Sequence, residues 1–262
     1  MRVETLGDGD PEVAVVGGIH GDEPCGVRAV ERLIELDPAV DRPVALVVAN
    51  EEAVELGERY VEADLNRSFP GVADGRTHES RLASALAAEI GDCRTLALHS
   101  TQSYEGLFAL VDSLGETERR LCPRLSVDAV VETGAAEGRI FDGVPRTIEV
   151  ECGYQGSEAA ADNAVQVARE FLAATGAVPG WETASQGELP VFELGDPVPK
   201  DAAETYEVFV ENFREVDAGE TFAAADGDPL VAEESFHPVL MSPYGYEDVF
   251  GYTAKPVGTL AA

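Results

Sequence analysis

Lysine is almost missing from this chain: Lys200 and Lys255 are the only two among 262 residues. Asp and Glu number 50 against 18 Lys and Arg, a formal net charge of −32. So negative a surface repels nucleic acid and anionic membrane and excludes both as partners. The acids are spread along the whole length and not gathered in a tail. That is the pattern of a solvated acidic surface, and it suits a halophilic setting in which concentrated salt screens the self-repulsion. A cation-binding or partner-binding face would instead require a local cluster. No apolar run reaches the ~18 residues of a membrane span, and Met1-Arg2-Val3-Glu4-Thr5 lacks a signal-peptide apolar region. The expectation is a soluble, cytoplasmic protein. Cys25, Cys93, Cys122 and Cys152 lie far apart without a C-x-x-C pair, as reduced core residues of a cytosolic chain would. Histidine is equally scarce, with only His20, His78, His99 and His237.

Against this background one stretch stands out, Val13-Ala-Val-Val-Gly17-Gly18-Ile-His20-Gly-Asp-Glu23-Pro24. It reads as a buried strand that ends in a glycine turn and then presents His and Glu three residues apart. An imidazole nitrogen and a carboxylate oxygen at that spacing can reach one metal ion. A catalytic zinc site takes three protein ligands and keeps a fourth position for water. His99 is the candidate third ligand, because it ends the apolar run Thr95-Leu-Ala-Leu98. It would stand at the carboxyl end of a strand, where open α/β sheets bind their ligands. The plainer alternative is a capped turn, with Glu23 in the first turn of a helix favoured by the helix dipole.

Residues 13–17 and 44–49 predict strands, and so do 93–98, 106–111, 128–132 and 146–153. Residues 26–36, 77–90 and 157–174 have helical patterns, the second and third opened by the capping residues Thr77 and Ser157. Strands that alternate with helices and are apolar throughout imply an α/β fold with a mostly parallel sheet. Residues 176–187 read as a linker. From Leu189 onward the pattern alternates, as in Thr205-Tyr-Glu-Val-Phe-Val-Glu211, and suggests a small β-rich unit. The expected organisation is a catalytic domain over 1–178 and a C-terminal β domain over 188–262.

The segment Arg59 to Gly71 is polar and irregular and carries Arg59, Asp64, Asn66 and Arg67. Arginine suits bidentate carboxylate binding, and an aspartate can accept the second ring N–H of a metal-bound histidine. The alternative is a surface loop whose arginines pair with the abundant acids.

Taken together, His20-Gly-Asp-Glu23, Asp64-Leu-Asn-Arg67 and Leu98-His99-Ser100 resemble the succinylglutamate desuccinylase and aspartoacylase family, a branch of the zinc carboxypeptidase-like hydrolases. The resemblance covers roughly residues 10–175. It implies a zinc carboxypeptidase-like mixed sheet flanked by helices, and one zinc ion bound by His20, Glu23 and His99. It implies that Arg59 polarises the scissile carbonyl, that Asn66 and Arg67 hold a substrate carboxylate, and that Asp64 supports His20. It also implies that a tyrosine of the C-terminal β domain can touch substrate, without saying which one. The chain departs from the family's commonest pattern in having Ala97, not an acidic residue, two positions before His99.

Such a hydrolase needs a carboxylate to move a proton from water to the leaving amine. Glu149 and Glu151 lie at i and i+2 in Arg146-Thr-Ile-Glu-Val-Glu-Cys-Gly153, hence on one strand face. The Gly after Glu151-Cys152 favours Glu151 by the family's pattern, whereas Thr147 favours Glu149. Glu151 is preferred, and Glu149 is then expected to pair with an arginine such as Arg146 or to face solvent. The function so implied is zinc-dependent deacylation of N-acyl amino acids or similar small carboxylates. Alternatives are carboxypeptidase-like peptide hydrolysis and a catalytically silent, metal-stabilised binding protein. The assembly state, a homo-oligomer included, is left open.

Overall fold

The computed structural model describes residues 1–134, 137–184 and 187–261. Residues 185 and 186 of the expected linker, and the last residue of the expected C-terminal domain, lie outside them. The apolar strands form one sheet. β1 (Arg2–Leu6), β2 (Val13–Gly17), β3 (Val44–Val48), β4 (Arg94–Thr101), β5 (Phe108–Val111), β6 (Ala129–Glu132) and β7 (Thr147–Tyr154) make up its larger part. The later strands β8 (Glu188–Pro199), β12 (His237–Val239) and β13 (Val249–Ala261) join the same sheet, in the order β1-β3-β2-β4-β7-β5-β6-β8-β13-β12. The pairs β3–β2, β2–β4, β4–β7, β5–β6 and β6–β8 are parallel.

Parallel strands must bury both faces, and the residues alternate accordingly. Val13, Val15, Leu46 and Leu98 pack into one apolar cluster, while Ala14, Val16, Ala45, Val47 and Ala97 pack into another on the opposite face. Helices α1 (Pro24–Leu36) and α5 (Glu158–Ala174) cover the first face. Helix α3 (His78–Ile90) covers the second with Leu82, Leu86 and Ile90. Thr77 and Ser157 cap α3 and α5 as expected, each accepting from the backbone N–H three residues on. The pattern missed the short helices α2 (Glu51–Leu56) and α4 (Glu116–Leu121).

Two glycines settle how α1 meets the sheet. Gly18 has φ +67°, which lets the chain turn at the end of β2, and a Cβ on Gly17 would stand 2.2 Å from the Gly26 backbone. Glycine alone permits that approach, and with it the delivery of His20 and Glu23 beside β4.

The C-terminal region divides between two sheets. β8, β12 and β13 extend the main sheet, whereas β9 (Tyr206–Val208), β10 (Thr221–Ala225) and β11 (Asp228–Val231) form a separate antiparallel one. Phe192 packs with Phe108 and Leu110 of the main body, while Phe222, Phe236 and Phe250 build a core of their own. Among the described residues no helix is long and apolar enough to cross a membrane.

Candidate active site

β2, β4 and β7 are parallel neighbours, so their carboxyl ends share one edge of the sheet. His20 and Glu23 follow β2. His99 lies inside β4, opposite Glu151 in register, and Ala97 lies opposite Glu149. Paired residues point to the same side, so the fold gathers His99, Glu149 and Glu151 on one face.

His20, Glu23 and His99 are all buried, and one ligand atom from each lies within 4.8 Å of the others. His20 Nδ1 meets Glu23 Oε1 at 2.7 Å, and His99 Nδ1 meets Glu23 Oε2 at 2.9 Å. Glu23 is the residue that precedes α1, yet its side chain makes no capping bond; it accepts instead from Ser100 N at 3.1 Å. The capped-turn alternative thus fails on geometry. Burial alone would depress both imidazole pKa values and raise that of Glu23. Their mutual attraction wins, so the histidines titrate above their ordinary value and Glu23 well below its own.

The donor set fits a zinc ion. His20 Nε2 also faces a carboxylate, Asp64 Oδ1 at 3.1 Å, so without a cation both ring nitrogens need protons. A metal in place of the Nδ1 proton leaves Nε2–H to donate to Asp64, the usual arrangement of a metal-bound histidine. Two histidines and one carboxylate also make a donor set typical of catalytic zinc.

The three residues border a cavity of about 340 Å³. Arg59, Asn66, Arg67, Glu149 and Glu151 line it as well. Arg59 pairs with Asp64 at 3.1 Å and with Glu23 at 3.4 Å. Arg67 is exposed and forms no ion pair among the described residues. Asn66 is buried; it donates to Glu149 Oε1 at 2.6 Å and accepts from Ile140 N at 2.9 Å, which leaves one of its two amide N–H donors for a ligand.

The two candidate glutamates sit in opposite environments. Glu149 is 1% exposed and forms an ion pair with Arg139. Burial would raise its pKa, but Arg139 and His99 hold it well below the usual range. The arginine partner expected of Glu149 is therefore Arg139 and not Arg146, which is exposed, because the Arg139 loop reaches the site. Glu151 Oε2 is buried and has no hydrogen-bond partner; burial and the Glu23 charge push its pKa up to about 7. Seven buried side-chain polar atoms of the described residues lack a hydrogen bond. Five of them border this one cavity: Asp22 Oδ1, His99 Nε2, Ser100 Oγ, Arg139 Nε and Glu151 Oε2. Such orphans are uncommon in a folded interior, and their concentration marks a place for ligands.

Sequence reasoning missed Arg139, which lines the cavity, and left open which C-terminal tyrosine approaches it; Tyr246 and Tyr252 both line it. Arg139 left a faint signal as the only basic residue between Arg124 and Arg146. The tyrosines left none that separates them from Tyr244, which does not line the cavity. His78 lies away from the site, 3.6 Å from Glu52, and His237 packs on Phe192.

Residues 9–112 match the family model of the succinylglutamate desuccinylase/aspartoacylase catalytic domain. The chain is 29% identical over 127 residues to a probable aspartoacylase of Nostoc sp., covering 44% of this chain and 43% of that protein. It is 36% identical over 88 residues to the succinylglutamate desuccinylase of Pseudomonas paraeruginosa, covering 27% and 26%. The matches thus span less than half the length of these curated relatives. Solved structures are similar over nearly the whole chain. The product-bound ectoine utilization protein EutE (DoeB) of Ruegeria pomeroyi aligns with TM-score 0.78 at 19% identity, covering 99% of this chain and 88% of that one. Murine aminoacylase 3 aligns with TM-score 0.75 at 19% identity, covering 97% and 99%. At such identity the likeness concerns the fold.

Proposed function

From the match of residues 9–112 to the succinylglutamate desuccinylase/aspartoacylase catalytic domain, we propose that this chain belongs to that family and is a zinc-dependent amide hydrolase that removes the acyl group from N-acyl amino acids or similar small carboxylates. One observation carries the reading. Three metal-type donors converge beside an unpaired glutamate, and arginines border the same cavity. Its volume of about 340 Å³ suits a small substrate.

Zinc held by His20, Glu23 and His99 would supply Lewis-acid activation of water and of the scissile carbonyl. The protein residues do the rest. Glu151 accepts the proton of the attacking water and passes it to the leaving nitrogen as the C–N bond breaks. Its unpaired oxygen and raised pKa support that role over Glu149. Arg59 donates to the oxygen that becomes negative. Arg67, free of ion pairs among the described residues, binds the substrate carboxylate with the remaining N–H of Asn66. Asp64 keeps His20 in one tautomer.

The reading includes a catalytic domain over 1–178 and a C-terminal β domain over 188–262. Ser242, Tyr246 and Tyr252 on the cavity wall support a role for the latter in narrowing the site. Four unpaired, buried cysteines suit a reducing, cytoplasmic setting.

The test is a panel of N-acetyl and N-succinyl amino acids in high salt, scored for release of free amine. At least one should be turned over, with loss on chelation and recovery with zinc. A zinc-loaded protein inert toward the whole panel would sink the hydrolase assignment.

A further inference from the structure

His20 and His99 are held alike. Each turns Nδ1 to Glu23, and each turns Nε2 to a second carboxylate. For His20 that is Asp64 at 3.1 Å; for His99 it is Glu149 Oε1 at 3.5 Å, an ion-pair rather than a hydrogen-bond distance. A metal-bound histidine commonly gives its outer N–H to such a carboxylate, which fixes the ring and raises its basicity. On the strand of His99 the preceding position on the same face is Ala97, whose methyl accepts nothing. Glu149 stands opposite Ala97 in register on β7 and projects to the same side. Its carboxylate is held on three sides, by Arg139, by Asn66 Nδ2 at 2.6 Å and by the His99 ring. That rigidity suits an orienting group and not one that must take up and release protons.

We propose that Glu149 is a positioning residue for the cation site. It supplies from β7 the carboxylate that orients His99 and that Ala97 does not supply from β4, with Arg139 and Asn66 as its supports. The inference rests on His20, Glu23 and His99 being cation ligands.

The test measures zinc affinity directly, by competition of the metal-stripped full chain with a chromophoric chelator. Glu149→Gln and Glu149→Ala should each bind zinc about 10–100-fold more weakly than wild type. Adding Ala97→Asp to Glu149→Ala restores a carboxylate on the same face and should recover most of the loss. A merely structural Glu149 would lower the melting temperature while the folded protein kept its zinc affinity, and Ala97→Asp would rescue nothing. Should Glu149→Ala fail to fold because Arg139 is left unpaired, Glu149→Gln combined with Arg139→Gln removes both charges and is read against Arg139→Gln alone. Wild type that binds zinc together with a Glu149→Gln variant within about twofold of it overturns this inference alone. Wild type that binds no zinc overturns the ligand assignment and this inference with it.

Discussion

Glu149 and Glu151 are two residues apart on one strand face, yet their surroundings assign them different chemistry. Glu149 is bound by a guanidinium and an amide and stays anionic; Glu151 has an unpaired oxygen and a pKa near 7. Glu151→Gln keeps the shape and removes the base, so zinc and fold should be retained while turnover drops about 10²–10⁴-fold. Steady-state kinetics with metal analysis checks this, and an active Glu151→Gln would reverse the two roles. Arg59→Ala should cost about 10²–10³ in kcat, because it removes a donor to the developing oxyanion. At this scale the sequence was informative where ligands share a motif. His20 with Glu23, and Asp64 with Asn66 and Arg67, each lie within a few residues. It was silent on Arg139, because the pairing with Glu149 depends on how the Gly138 loop folds back over the sheet, against the Arg67 backbone.

The irregular segment that carries Arg59, Asp64 and Arg67 is anchored by the first turn of α3. Glu79 is fully buried; its Oε1 accepts from Val61 N at 2.7 Å and Asn50 Nδ2 at 3.1 Å, and its Oε2 from Ala63 N at 3.0 Å and Glu62 N at 3.2 Å. Burial opposes the charge, but these donors outweigh it and hold the pKa below the ordinary carboxylate value. A folded-state pKa below the unfolded one, about 4.3, gives stability that is present at neutral pH and lost as pH falls through the folded value. Glu79→Gln turns an amide toward the Glu62 and Ala63 N–H groups and should cost about 2–3 kcal/mol at neutral pH. As the pH falls the wild type loses this anion, so its melting temperature should drop toward that of Glu79→Gln. A variant as stable as wild type at pH 7 would rule out the anchor. The pattern made the strands and the long helices legible, since period and burial coincide there. It did not reveal α2, whose six residues hold three glutamates and bury only Ala53. Nor did it reveal that β8 continues the main sheet beside β6, a pairing between segments some sixty residues apart.

Over the whole molecule the charge of −32 dominates. Repulsion among surface acids acts over a Debye length of ~10 Å at 0.1 M salt and ~3 Å at 1 M. The melting temperature should therefore rise by several degrees from dilute buffer to molar KCl, and a melt insensitive to salt would give the acidity another purpose. The same excess of carboxylates makes the buried trio distinctive. Surface acids stand in water, whereas Glu23 lies buried between two imidazoles that both turn Nδ1 to it. Composition could not single out that convergence; the register of β2, β4 and β7 creates it. The most direct test is a calorimetric titration of the metal-stripped chain with zinc, in wild type and in His99→Ala. Wild type should saturate at one zinc per chain, and His99→Ala should lose saturable binding. No saturable binding in wild type, or undiminished binding in His99→Ala, would contradict the metal centre on which the proposed chemistry stands.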